Sequence, residues 1–369
     1  ETLRASLRMT WEAFWGEPMT RSQGRASDSS PRWTVETAVQ ALRAWAWQEP
    51  FLRRARLVAC CEPLWLCVLL HAARGGQGLL VRASMCLLHA FEHTFGAKEL
   101  PEFWPLVQSM GADVLHARGG LSAAAHISAE MLHYQAGLRP PWVPALSLHV
   151  ASVASYRPAS AEVLLFRFRL PMAPGFCRVL RMLAAEMGAG APNIVEQQPG
   201  GRSLSFQEIG NFRAVAMLPH VPYALRLADV FALGSPTFVP AEPLLHKFIW
   251  PFAGPFCGRT DPDLSRSLDP LAANTSSHPY SPFTFQGRIF HIDQYHEDRR
   301  YWAQYSEWER WPHLLRFRSA RELLTMAAGL TEAAAAEVSA KVRAHHAAIA
   351  SEALAYWRAA ALGALAEER

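Results

Sequence analysis

A chain of 369 residues, half of them apolar, can bury a substantial core and is long enough for two. Its net charge of +4 is spread over 18% charged residues with no dense Lys/Arg block, which argues against nucleic acid or a membrane surface as partner. The six cysteines (Cys60, Cys61, Cys67, Cys86, Cys177 and Cys257) show no C-x-x-C spacing and lie in apolar surroundings, so they read as buried thiols rather than a disulfide framework or a zinc site.

The chain opens on Glu1 rather than Met, which leaves open a preceding anchor and residence in the lumen of the Golgi or endoplasmic reticulum; the compartment is otherwise unassigned. After a Trp-rich lead and a polar loop, "TVETAVQALRAWAWQ" has helical periodicity. The apolar stretch "LVACCEPLWLCVLLHAA" is interrupted by Glu62-Pro63 and too short for a membrane span, and it reads as a buried strand followed by a helix. From there "ARLVACCEP", "GLLVRAS", "ADVLHAR" and "WVPALSL" read as strands, separated by the helical "LWLCVLLHAARGG", "PEFWPLVQSM" and "SAAAHISAEMLHYQAG". Such alternation is the signature of a parallel sheet covered by helices.

The stretch "HVASVASYRP", His149 to Pro158, replaces apolar periodicity with Ser and Pro and reads as a linker. A second series follows: strand "AEVLLFRFRL", helix "APGFCRVLRMLAAEM", strand "PNIVEQ", short helix "SFQEIGNF", then strand, helix and strand within Arg213 to Pro240. The Pro-, Ser-, His- and Asp-rich stretch Trp250 to Glu297 is too long for an ordinary connection. From Thr331 the chain is Ala-rich, with Val338, Val342, His345, Ile349, Ala353 and Tyr356 at helical spacing, so one long amphipathic helix closes it. The expected fold is α/β with two Rossmann-like domains, 1–150 and 151–330, and a carboxyl-terminal helix over 331–369.

Open parallel sheets bind ligands outside the carboxyl ends of their strands. In the second half that rule selects Arg167 and Arg169 after "VLLF", and His220 and Tyr223 after "VAML". A guanidinium and the free N–H groups of a helix start, here near Pro222, both suit a diphosphate. In the first half it selects Glu62, His116, Arg118 and His149. Neither G-x-G-x-x-G after a strand nor G-x-x-x-x-G-K-[ST] occurs, which disfavours a hydride-transfer enzyme or a P-loop NTPase.

The stretch "AVAMLPHVPYALRLADVFALGSPTFVP" resembles the donor-site βαβ unit of GT-B glycosyltransferases, through Asp229, Ala232, Gly234 and Pro236. The resemblance implies a GT-B fold, a terminal helix that crosses back to the first half, and transfer of a sugar from a nucleotide sugar to a carbohydrate or glycoconjugate acceptor. It also implies that Asp229 contacts a ribose or sugar hydroxyl. With Arg167, Arg169, His220 and Tyr223 on the donor, an inverting reaction needs a base, for which Glu62 and His116 stand on the acceptor side. Arginine and helix dipole supply positive charge, so neither a metal nor another cofactor is expected. The alternatives are a non-catalytic binding protein of the same fold and a nucleotide-sugar epimerase.

Three further groups have plainer readings. Arg226 and Asp229 are spaced for an ion pair on one helix face, and Gly234 for a helix C-cap. His126, Glu130 and His133 share a helical face, and "HIDQYHED" gathers His291, Asp293, His296 and Asp298, but neither reproduces a metal motif. In "YWAQYSEWERWPHLLRF", Trp302, Trp308 and Trp311 read as packing more than as sugar-stacking residues.

Overall fold

The computed structural model describes residues 33–61, 63–75, 78–84, 95, 99–112, 120–166, 172–197, 202–219, 224–248 and 296–366. It is an α/β structure with two parallel sheets and a long carboxyl-terminal helix.

The first sheet has the order β1-β2-β3, from β1 (Val58–Cys60), β2 (Leu79–Ala83) and β3 (Leu121–Ala123). Around it lie α1 (Val35–Gln48), α2 (Pro50–Arg54), α3 (Leu64–Ala73), α4 (Leu100–Met110) and α5 (His126–Ala136), while the short α6 (Leu148–Ala151) packs through Val150 into the core of the second sheet. Thr34 starts α1 through a capping box with Thr37, supplying acceptors for backbone N–H groups that the helix leaves unpaired. Alternation along β2 sends Leu79, Val81 and Ala83 into a core with Trp65, Phe103 and Trp104, and Leu80 to the other face. The expected strand and helix on either side of Glu62-Pro63 are β1 and α3, with Pro63 at the helix N-cap.

Three expectations need correction here. Ser122 and Ala123, assigned to a helix, form β3, because they pair with Arg82 and Ala83 of β2 and sheet pairing overrides Ala-rich helix propensity. The expected strand "WVPALSL" is reduced to one bridge, Ala123 to Trp142, since Pro144 has no N–H with which to continue a ladder. Cys60 and Cys67 are joined in a disulfide rather than left as thiols, while Cys61 is free and exposed and Cys177 free and buried. The expected strand "ADVLHAR" lies, apart from Ala112, outside the described residues.

The second sheet has the order β5-β4-β6-β7-β8, from β4 (Val163–Phe166), β5 (Ile194–Gln197), β6 (Ala214–Met217), β7 (Thr237–Pro240) and β8 (Leu315–Phe317). Its helices are α7 (Met172–Met187), α8 (Phe206–Gly210), α9 (Leu225–Leu233), α10 (Leu245–Phe248), α11 (His296–Ala303), α12 (Glu307–Arg310), α13 (Ala320–Gly329) and α14 (Glu332–Ala366). Strands β4, β6 and β7 are buried throughout, as strands covered on both faces must be. Leu164, Phe166, Val215 and Met217 pack toward α9 and α14, whereas Val163, Leu165, Ala214 and Ala216 pack toward α7 and α13. Strand β8 is not anticipated by the sequence reading.

Helix α14 spans both sheets. Val342 joins the core of the second sheet, and Ala360 packs on Leu80 of the first. His346 Nε2 donates to the Leu146 carbonyl at 2.7 Å, and the Tyr356 hydroxyl donates to the Leu121 carbonyl at 3.1 Å. The buried histidine on this helix is His346, one residue beyond the expected His345.

Candidate functional site

In the second sheet the chain leaves β4 for β5 on one side and returns to β6 on the other, so the order reverses between β4 and β6. Ligands of open parallel sheets bind outside the strand ends at such a reversal. There the last residues, Phe166 and Met217, are direct partners. The predicted donor residues Arg167 and Arg169 follow Phe166 in sequence, and His220 and Tyr223 follow Met217; all four lie outside the described residues. So do Pro222, Arg118 and the predicted bases Glu62 and His116.

Asp229 is described, at the middle of α9. Its Oδ1 accepts from the Ser147 hydroxyl at 2.8 Å, and its Oδ2 lies 3.6 Å from Arg226 Nη1. His149 Nε2 stands 3.9 Å from Oδ1, and the Asp229 side chain keeps 15% of its surface exposed. Arg226 in turn lies over the Phe166 and Phe206 rings, each at 5.8 Å. One carboxylate therefore collects the last strand residue of β4, through Arg226, and the segment that joins the two sheets. The ion pair expected from i,i+3 spacing is present, and Ser147 and His149 join it. Gly234 closes α9 in the left-handed region at φ 77°, confirming its C-cap role. A Cβ there would also fall 2.6 Å from Arg343 Cγ of α14.

Sequence reasoning missed Glu307. It begins α12, its side chain is wholly buried, and both carboxylate oxygens are without a hydrogen-bond partner. The Ala224 N–H at the start of α9, the Trp311 indole and the Arg82 guanidinium of β2 are near enough to favour its charge, though neither N–H reaches hydrogen-bond geometry. Burial dominates and holds the carboxyl well above the usual range. The only signal in the sequence was a glutamate inside an aromatic block, between Tyr305 and Trp308. Beside α12, a cavity of about 360 Å³ is lined by Glu242, Leu245, Arg300, Tyr301, Gln304 and Glu309.

The remaining groups are structural. His126 stacks on Trp142 at 4.2 Å, His133 Nε2 lies 3.0 Å from Arg139, and Glu130 accepts from the Tyr301 hydroxyl at 2.6 Å. Among the described residues no group of three or more His, Cys, Asp or Glu could hold a metal ion. The side chains of "HIDQYHED" lie outside the described residues. Trp302, Trp308 and Trp311 are buried, so they pack rather than offer faces to a sugar. Among the described residues no helix is long and apolar enough to cross a membrane. No family model matches the chain, and neither a curated protein nor a solved structure is found to be similar to it.

Proposed function

We propose that the protein is a glycosyltransferase of GT-B architecture, moving a sugar from a nucleotide sugar to a carbohydrate or glycoconjugate acceptor, with two Rossmann-like domains facing each other. The observation that carries this reading is Asp229. A carboxylate on the helix after the central strand β6 stays partly open while Ser147 and Arg226 fix its orientation. A carboxylate has about four lone-pair sites, so two held contacts leave room for a ribose or sugar diol. The expected resemblance in this helix and a terminal helix that returns to the first sheet support the same reading.

In this reading Arg167 and Arg169 neutralise the departing diphosphate, and His220 and Tyr223 contact the donor. Glu62 or His116 takes the proton from the acceptor hydroxyl. The acceptor oxygen then bonds to the anomeric carbon as the bond to the diphosphate oxygen breaks, its electron pair leaving with the diphosphate.

A thermal-shift screen against nucleoside diphosphates and nucleotide sugars tests it. A ligand at one hundred times its Kd stabilises the native state by about 2.7 kcal/mol, a clear rise in melting temperature. A flat response across the panel rejects the reading.

A further inference from the structure

The cavity beside α12 stands at the carboxyl end of β7, one strand over from the reversal between β4 and β6. Open parallel sheets keep their ligand sites along this edge. The chain turns sharply there: the Ala241 N–H donates to the Phe317 carbonyl of β8 at 2.8 Å, and the Ala241 carbonyl accepts from the Leu244 and Leu245 N–H groups at 2.8 and 2.9 Å. That turn sets Glu242 in the cavity wall and places His246, only 2% exposed, one helical turn beyond it. His246 Nδ1 lies 2.6 Å from Glu242 Oε2 and steadies a carboxylate whose side chain stays 30% exposed. Glu242 Oε1 has no hydrogen-bond partner.

The opposite wall is also fixed. Tyr301 of α11 donates through its hydroxyl to Glu130 of α5, which ties this wall to the first half of the chain. Arg316 of β8 donates to the Trp308, Glu309 and Trp311 carbonyls at 3.3, 2.6 and 3.2 Å and so holds α12, with Glu309, in place. The formal charges balance: Glu242 and Glu309 stand against Arg300 in the wall and Arg316, whose Nε lies 3.8 Å from Glu309 Oε2. An anion is repelled by the carboxylates and a cation by the guanidinium groups, so a neutral ligand is favoured. Hydrogen bonding then selects its chemistry. A carboxylate has about four lone-pair sites, of which His246 takes one at Glu242, while the Gln304 amide both donates and accepts. Hydroxyls match this set, since each donates to a carboxylate and accepts from an amide or a guanidinium. The volume of about 360 Å³ lies at the lower end of the usual range for small-molecule sites, about 300–1,000 Å³.

We propose that this cavity binds a sugar through its hydroxyl groups, with Glu242 accepting from one hydroxyl and Gln304 and Arg300 serving others. The terminal torsion of a glutamate is broad, so a small rotation turns Oε1 toward the ligand while the backbone stays as it is. The choice of a sugar over other polyols rests on the proposed glycosyltransferase reading. The donor's sugar and the acceptor share this chemistry, and the measurement separates them.

The test is ligand-observed NMR titration of the full chain with the methyl glycosides of glucose, galactose, mannose and N-acetylglucosamine, and with UDP, GDP, UDP-glucose and GDP-mannose. Two variants are compared with the parent. Glu242→Gln removes the charged acceptor, and Gln304→Trp fills the cavity from an exposed position, which keeps the test decisive if the first variant does not fold. Loss of a hydrogen bond to a charged group weakens sugar binding by about tenfold or more. For an acceptor site, a methyl glycoside shows that loss in both variants while nucleotide affinities stay within about twofold. For the donor's sugar, a nucleotide sugar shows it while its parent diphosphate stays within about twofold. Sugar affinities unchanged in either folded variant, or equal losses for a nucleotide sugar and its diphosphate, overturn the site and leave the proposed function standing. Binding of none of these ligands by the parent removes both.

Discussion

Ser147 and Asp229 are joined by a 2.8 Å hydrogen bond across 82 residues of sequence, and Ser147 pays for it with a left-handed backbone, φ 44° and ψ 45°. A non-glycine residue there costs about 1–2 kcal/mol, and the bond to a charged partner offsets most of it. Ser147→Gly removes the bond and relieves the strain together, so it should leave stability within about 1 kcal/mol of the parent. Urea denaturation checks this, and a loss well beyond that would show that the hydroxyl does more than compensate for its own backbone.

Asp229→Asn separates the ligand role from the structural one. Its pair with half-exposed Arg226 is worth at most about 0.5 kcal/mol, and an amide still accepts from Ser147. Donor affinity should fall by about tenfold or more while the melting temperature moves little. Unchanged affinity and turnover in the folded variant would leave Asp229 as a brace between α9 and the segment around Ser147.

His126 predicts acid sensitivity. Burial, aided by the charge of Arg310, lowers its pKa from 6.5 to about 4. Between those values the unfolded chain binds a proton that the folded chain refuses, so stability falls as pH drops from 6.5 toward 4 and this contribution levels off below. His126→Phe keeps a ring against Trp142 and removes the titration. Melting temperatures from pH 7 to 4 should decline less steeply in the variant, and parallel declines would exclude His126 as a source.

Gly234→Ala should destabilise on two counts. The left-handed φ costs an alanine about 1–2 kcal/mol, and the new methyl meets the Arg343 side chain of α14. A melting temperature equal to the parent's would mean that α14 can yield at Arg343 and that the turn tolerates a side chain.

Trp302→Ala tests the aromatic block. The ring packs edge-on against Tyr134 at 5.4 Å, in a cluster with Ile127 and Met131. Its loss should cost about 3–5 kcal/mol by chemical denaturation. A small cost would return the residue to the ligand-facing role that its burial argues against.

The strand and helix alternation was legible where a strand is buried on both faces and leaves an unbroken apolar run, as in "VLLF" and "AVAM". It failed where pairing is decided by a distant partner. Ser122 and Ala123 carry helical propensity and become a strand only because β2 is there to receive them. The short "LRF" of β8 has too few residues to show a period and is paired through β7. At the site, the ion pair of Arg226 and Asp229 could be read from spacing, but Ser147 and His149 could not, since both arrive from a separate segment. Glu307 was hidden for a different reason: nothing in a local sequence distinguishes an exposed glutamate from one that the fold buries completely.

The reach of α14 sets the order in which the protein can be completed on the ribosome. The Leu121 carbonyl is emitted 235 residues before the tyrosine that satisfies it, a delay of roughly 10–50 s at ordinary elongation rates. Until then the face of the first sheet that bears Leu80 is bare. A premature stop codon in the last three turns of α14 would thus be a lesion of the first sheet, and the nascent chain must be shielded there until Tyr356 and Ala360 have been made.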